Sequence, residues 1–367
     1  MTTYYIWDDI PVKADFAPQY RPAKIAGIQP LRQHWTTLRH IRRDPPFCTE
    51  RSESRVCPPV AVSCDLTATL EADYSRRVTK APFTPPVFRF APSPNGDLHL
   101  GHAYSAMFSE GEARKAGGRL LLRIEDIDTI RCRPIYAERM IDDLVWLGVA
   151  FDGPVMRQSE HVARHRQALA GLEERGLVYP CFCSRADIAA AVTPMHPRDP
   201  EGAPLYPGTC RSLPSAERQA RMAAREPYAL RLDMMLALAK VPTLTFWEEG
   251  SGPAGEHGRV PAAPERWGDV VLARKDIRTS YHLAVVLDDA WQEVTTVSRG
   301  HDLFHATGVH RLLQQLFELP EPLYHHHRLI GDDTGRKLSK SAGDRSLRSL
   351  REAGVTPAEI RELLAPQ

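Results

Sequence analysis

An α/β fold, a parallel sheet flanked by helices and split by one inserted segment, is what the sequence predicts, on three observations. Apolar runs of strand length alternate with helix-length stretches from Val87 onward. Gly and Pro stand at the joints, as at Gly117-Gly118 and Pro134. The alternation lapses once, between Val178 and about Trp267, and then resumes. A chain of 367 residues is long enough for about two domains. Its 47 Lys+Arg against 46 Asp+Glu give a net charge of +1, so a polyanion partner must be met by a local patch. Apolar runs such as Ala284 to Leu287 fall far short of the roughly 20 residues a membrane-spanning helix needs. The start, MTTYYIWDDI, lacks the basic-then-apolar order of an export signal. A cytoplasmic protein is expected, with its seven cysteines present as thiols or metal ligands.

Residues 1 to about 85 hold neither the helical nor the strand period for long, and Cys48, Cys57 and Cys64 lack tight ligand spacing. A loosely ordered extension is expected there. Val87 to Ala91 reads as a short buried strand, Pro92 to Gly96 as a turn, and Leu98 to Ala116 as a helix stopped by Gly117-Gly118. Arg119 to Glu125 is a second strand, and Pro134 to Leu147 a helix with Pro in its first turn and Gly148 as its stop. These fall in a first half-domain, 86–177, that closes with a helix from about Glu160 to Arg175. The inserted segment, 178–267, carries alternating runs at Tyr228 to Leu232 and Thr243 to Trp247. A second half-domain, 268–330, reads as strands at Asp269 to Ala273 and Leu283 to Leu287, a helix from Leu303 to Leu319, and a strand from Tyr324 to Ile330. The remainder, 331–367, holds a lysine loop and two short helices, Arg345 to Ala353 and Pro357 to Leu364, with no room for a further domain. Trp146 and Trp291 are expected in the core.

The strongest local signal is Arg89-Phe90-Ala91-Pro92-Ser93-Pro94-Asn95-Gly96-Asp97-Leu98-His99-Leu100-Gly101-His102. A strand, a turn and a helix start put free backbone N–H groups and two histidines at the positive end of a helix dipole, which suits a phosphate. Gly101 leaves room for a flat ring or phosphate chain to approach the backbone. The second signal is Lys337-Leu338-Ser339-Lys340-Ser341, whose lysines can neutralise charge building on a leaving polyphosphate. The third is Cys181-Phe182-Cys183 followed by Tyr206 and Cys210. Two cysteines two apart on a strand face the same way, and two later groups on a tight loop can close a tetrahedron around zinc. Tyr206 and His196 compete for the fourth position. The run His325-His326-His327 cannot chelate one ion, because neighbouring strand residues point to opposite faces.

In this order, and with a split βα pattern between them, the first two motifs resemble the HIGH and KMSKS signatures of class I aminoacyl-tRNA synthetases, from Arg89 to Ser341. RFAPSPNG and Arg123-Ile124-Glu125-Asp126 are similar to the glutamate-accepting branch; the glutaminyl branch typically has Glu where Ser93 stands and Asp where Glu125 stands. The resemblance implies a Rossmann-like catalytic domain split by an acceptor-type insert. It implies that glutamate is held by Arg89, Ser93, Glu125, Tyr281 and Arg299, and ATP by His99, Gly101, His102 and Lys340. His99, His102, Lys337 and Lys340 would be the catalytic groups, with Mg²⁺ on the phosphates and His326 matching a family histidine. An Arg pairs both oxygens of a carboxylate in one plane, which suits selection of glutamate over glutamine. The C-x-C…Y-x-x-x-C pattern of Cys181, Cys183, Tyr206 and Cys210 is similar to the zinc site of the truncated glutamyl-queuosine branch. That branch lacks an anticodon-binding domain, and its acceptor is the queuosine of tRNA(Asp). A monomer with one zinc is expected. A catalytic fragment that charges the tRNA 3′ end, and a non-catalytic zinc-containing RNA-binding paralogue, are the alternatives.

Overall fold

The computed structural model describes residues 84–331 and 345–365. The expected extension up to residue 83, and the lysine loop with Lys337 and Lys340, lie outside the described residues. The chain order opens with β1 (Val87–Phe90), α1 (Leu100–Lys115), β2 (Arg119–Ile124), α2 (Pro134–Leu147), β3 (Met156–Arg157) and α3 (Val162–Glu174). It continues with β4 (Val178–Cys181), α4 (Arg185–Ala190), α5 (Ser215–Ala223), β5 (Ala229–Leu232), α6 (Met234–Leu238), β6 (Thr245–Glu248), β7 (Gly258–Pro261) and β8 (Val271–Ala273). The last elements are α7 (Tyr281–Trp291), β9 (Thr296–Gly300), α8 (Ala306–Leu316), β10 (Leu323–His327), α9 (Leu347–Glu352) and α10 (Pro357–Leu364).

β1 and β3 each pair with β2 in parallel, while β10 pairs in parallel with β9 and β6. The two groups meet where Thr295 N donates to Val87 O at 3.0 Å and Val87 N donates to Thr295 Oγ1 at 2.8 Å. Strand alternation then decides which side each residue serves. Phe88 and Phe90 enter a core with Leu120, Leu122 and Ile124 of β2, Ala103 and Ala106 of α1, and Met140 and Leu144 of α2. Val87 enters the opposite core, with Leu283 and Val286 of α7, Val297, Leu312 and Tyr324. Arg89 shares the side of Val87, so a guanidinium is carried to the carboxyl end of the strand on the α7 side. Each fully buried aliphatic side chain contributes about 1.5–3 kcal/mol.

The joints follow local rules. His99 caps α1, Gly117 (φ 62°) and Gly148 (φ 75°) take the left-handed conformation after α1 and α2, and Pro134 opens α2. Among the described residues no helix is long and apolar enough to cross a membrane.

Several expectations differ from what is observed. Leu283 to Leu287 lies inside a helix, α7, with the Ser280 side chain accepting from Leu283 N at 3.4 Å. The run is continuous because that helix is buried nearly all round, and a short apolar run carries no period by which to separate helix from strand. Thr296–Gly300 is a strand hidden behind polar letters. Trp291, expected in the core, is 62% exposed, with the Arg164 guanidinium stacked 3.6 Å from its ring centroid. Trp146 is half-buried against the first core. Strand pairing also crosses the boundaries expected for the insert. β6 and β7, inside 178–267, join the sheet of β10, whereas β8, beyond it, pairs with β5 in an antiparallel sheet with β4.

Candidate active site

The carboxyl ends of β1, β2, β9 and β10 surround a cleft of about 620 Å³. Arg89, Ser93, His99, Gly101 and His102, from β1 and the turn into α1, line it. Glu125, at the end of β2, Tyr281 of α7 and Arg299 of β9 line it as well. All eight described residues expected to touch glutamate or ATP thus face one cavity, although they come from segments about 200 residues apart.

A buried ion-pair lattice forms one wall. Arg89 Nε donates to Asp289 Oδ1 at 2.9 Å, and its Nη1 to Ser298 O at 3.2 Å. Arg123, fully buried, donates through Nη1 to the same Asp289 oxygen at 2.6 Å and through Nη2 to Glu125 Oε1 at 3.1 Å. Burial works against charge on Asp289, yet the two guanidiniums hold its pKa below the ordinary carboxylate value. Glu125, 7% exposed, has only partial compensation: burial raises its pKa, with Arg123 and Arg89 opposing. Glu125 lines the cleft with one oxygen accepting from Arg123, and its carboxyl group has capacity for further donors. Tyr281 is pushed up to about 12 by burial and stays a hydroxyl.

Arg299 is held differently. It is 4% exposed, and its Nε donates to His326 Nε2 at 3.0 Å, Nη1 to His310 Nδ1 at 3.0 Å and Nη2 to Thr307 Oγ1 at 2.6 Å. Among the described residues no carboxylate lies within 4.0 Å of this guanidinium. Its nearest relay to an anion runs through His326, whose Nδ1 meets Glu248 Oε2 at 2.5 Å. Because Nε2 accepts from Arg299, the neutral tautomer of His326 carries its proton on Nδ1 and donates to Glu248. Burial lowers His326 to about 4. A buried guanidinium with neutral partners on three sides is a seat for an incoming carboxylate.

At the other end, His99 Nδ1 accepts from Gly101 N at 3.1 Å, and His102 Nδ1 accepts from His99 N at 3.2 Å. With both Nδ1 atoms accepting, the neutral rings carry their protons on Nε2. The ring centroids are 3.8 Å apart. A Cβ on Gly101 would sit 3.0 Å from the His99 ring, so this glycine makes room for the capping imidazole itself, in addition to lining the cleft. The histidine run divides as strand alternation requires. His326 faces Arg299, while His325 and His327 pack on Phe108 of α1, and His327 Nε2 meets Ser105 Oγ at 3.0 Å.

A second centre lies at the end of β4. Ligand atoms of Cys181, Cys183 and Cys210 lie within 4.8 Å of one another. The Tyr206 hydroxyl lies 3.4 Å from Cys183 Sγ and accepts from Cys210 N at 2.8 Å. His196 instead directs Nε2 to Leu205 O at 2.9 Å. Three cysteine sulfurs suit a soft tetrahedral metal such as zinc, and the Tyr206 oxygen beside them is placed where a fourth donor would stand.

Sequence reasoning named Arg123 only as part of its motif, and missed Asp289, Thr307, His310 and Glu248. The pair Asp288-Asp289 in an otherwise apolar run was the one available sign, because two carboxylates in a buried helix need buried partners.

The family profile for the catalytic domain of tRNA synthetases class I (E and Q) matches residues 87–365. A glutamyl-Q tRNA(Asp) synthetase of Rhodobacter capsulatus is 50% identical over 285 residues, covering 76% of this chain and 99% of that protein. One of Symbiobacterium thermophilum is 41% identical over 281 residues, covering 74% of this chain and 83% of that protein. A solved glutamate tRNA ligase from Elizabethkingia meningosepticum, in complex with its amino acid, is similar with a TM-score of 0.57 and 27% identity. It is matched over 71% of this chain and 53% of its own, so the chain spans about half the length of that ligase.

Proposed function

The chain belongs to the class I tRNA synthetases of the glutamate and glutamine type and is a ligase, and from this we propose that it activates glutamate with ATP and passes the glutamyl group to tRNA. The observation that carries the reading is Arg299: a buried guanidinium, facing the cleft, whose direct partners are all neutral. A glutamate side-chain carboxylate supplies the missing counter-charge, whereas a glutamine amide does not. Glu125 would receive the substrate ammonium, with Arg89, Ser93 and Tyr281 completing the seat.

The substrate α-carboxylate is itself the nucleophile at the α-phosphorus, so no covalent enzyme intermediate is needed. Catalysis rests on alignment and on donors that strengthen as charge moves. His99 and His102, with Nε2–H donors beside the start of α1, would meet the α-phosphate. Lys337 and Lys340 would meet the departing pyrophosphate, which Mg²⁺ accompanies. Lys340→Ala is expected to slow glutamate-dependent pyrophosphate exchange about 10²-fold or more, and an unchanged rate removes Lys340 from the mechanism. Cys181, Cys183, Tyr206 and Cys210 would hold one zinc, which cross-links β4 to the loop that follows.

The acceptor we propose is queuosine in tRNA(Asp), supported by the relative from Rhodobacter capsulatus that this chain spans almost end to end. A cytoplasmic enzyme working as a monomer fits this role. Two assays test the reading. Pyrophosphate exchange with each amino acid in turn should respond to glutamate alone. Transfer should then vanish with tRNA(Asp) lacking queuosine and persist with tRNA lacking its terminal adenosine; the reverse pattern would establish 3′-end charging.

A further inference from the structure

Behind Arg299 lies a polar chain that the proposed chemistry does not use. Arg299 Nη1 donates to His310 Nδ1 at 3.0 Å, and His310 Nε2 meets His282 Nδ1 at 3.2 Å. An acceptor at Nδ1 leaves the neutral His310 ring with its proton on Nε2, so His310 donates to His282. His282 in turn lies edge-on to Trp267, with ring centroids 5.4 Å apart, and lines a separate cavity of about 230 Å³ beside Tyr206. The His310 ring also packs edge-on against Tyr281, at 5.6 Å between centroids. One imidazole therefore touches two of the side chains expected around the amino acid. Thr307, one helical turn earlier on α8, accepts from Arg299 Nη2, so the first turns of α8 form a two-point clamp on the guanidinium.

We propose that His310, braced by His282, is a specificity-determining positioning residue that fixes the plane of the Arg299 guanidinium and so aims its remaining N–H groups at an acidic substrate side chain. Three features support this. A guanidinium has five N–H donors in a rigid fork, and three acceptors on Nε, Nη1 and Nη2 remove its freedom to rotate. Burial and the neighbouring Arg299 hold both His310 and His282 in the neutral form, so each can accept at Nδ1. A neutral clamp does not compete with the substrate as a carboxylate in the same place would. Arg89, bound to Asp289, illustrates that other case.

The inference rests on the reading of Arg299 as the carboxylate seat, and the test separates the two. In an Asn side chain the amide oxygen sits where Nδ1 of His sits; in Gln it sits nearer Nε2. His310→Asn therefore keeps the acceptor that Arg299 uses, and His310→Gln loses it while keeping a group toward His282. The full-length chain and its variants are compared by pyrophosphate exchange, with separate KM values for glutamate and ATP, and by thermal melting.

The expected result is that His310→Gln and His310→Ala raise the glutamate KM about tenfold or more, the worth of one charge-assisted hydrogen bond, with the ATP KM within about twofold. His310→Asn should recover most of the loss. Equal effects of Asn and Gln, parallel rises in both KM values, or an unmoved glutamate KM in a folded Ala variant would each overturn the proposal. If Ala does not fold, the contrast between Asn and Gln decides alone. Arg299→Gln is the control. If it leaves the glutamate KM unchanged, the carboxylate seat is wrong. If it raises that KM while the His310 variants do not, only the positioning role falls.

Discussion

Asp289, behind the cleft wall, holds two guanidiniums on one carboxylate, and this asymmetry sets the order of the losses expected when each charge is removed. Removing Arg89 leaves Arg123 to pair with Asp289; removing the charge of Asp289 leaves Arg89 with no carboxylate partner among the described residues and Arg123 with Glu125 alone. Asp289→Asn is therefore expected to destabilise the fold by about 3–5 kcal/mol, more than Arg89→Gln, as measured by urea unfolding. Little of this was legible beforehand. Arg89, Glu125 and Arg299 could be nominated because they stand in motifs, whereas His310 and Thr307 are polar residues in a helix with nothing in their spacing to distinguish them from a solvated face. Their role is set by contacts across the sheet, and a contact of that kind leaves no local pattern.

Elements were legible wherever chain stereochemistry sets their ends. Pro134 and Gly148 bound α2 as expected, since a fixed φ opens a helix and a left-handed residue closes it. Gly118 is stricter still: a Cβ there would lie 2.3 Å from Pro86 O. Gly118→Ala should cost about 1–3 kcal/mol, read as a lowered thermal midpoint, because the backbone entering β1 must move. The register of α7 escaped detection for the opposite reason, since burial on all sides erases the period that names a helix. On α2, Asp143 is wholly buried, and burial raises its pKa from 3.8 to about 6 despite Arg348 nearby. A carboxyl raised in the folded state favours folding only while protonated, so its cost accrues as pH rises from about 4 through 6. Asp143→Asn should thus gain thermal stability relative to the parent across that interval, with the gain levelling off above it. A constant difference at all pH values would contradict this.

At the scale of the whole molecule, acid sensitivity has the opposite sign. His282 and His326 are each lowered from 6.5 to about 4, chiefly by burial, and His310 lies well below its ordinary value. The unfolded chain binds protons on these rings below pH 6.5 and the folded chain does not, so stability is full above about 6.5 and falls as pH drops toward 4. Tm measured across that range should decline, and glutamate activation should fail with it. The zinc site proposed at the end of β4 predicts a further global effect: with zinc held there, chelation or Cys181→Ser should lower bound zinc and make the β4–β5–β8 sheet the first region to exchange amide protons. The parallel sheet itself was legible from its alternation. The exchange of β6, β7 and β8 between sheets was not, because strand partners at long range are chosen by the assembled core.

The seam between β1 and β9, where Thr295 and Val87 exchange two hydrogen bonds, has a consequence for synthesis on the ribosome. Arg89 emerges some 200 residues before its partner Asp289, and Arg299 is secured only once His310 and His326 have followed. A growing polypeptide short of β10 lacks part of the amino-acid seat proposed for this cleft, so on that reading recognition begins only when the second half of the sheet has left the exit tunnel and closed onto the first.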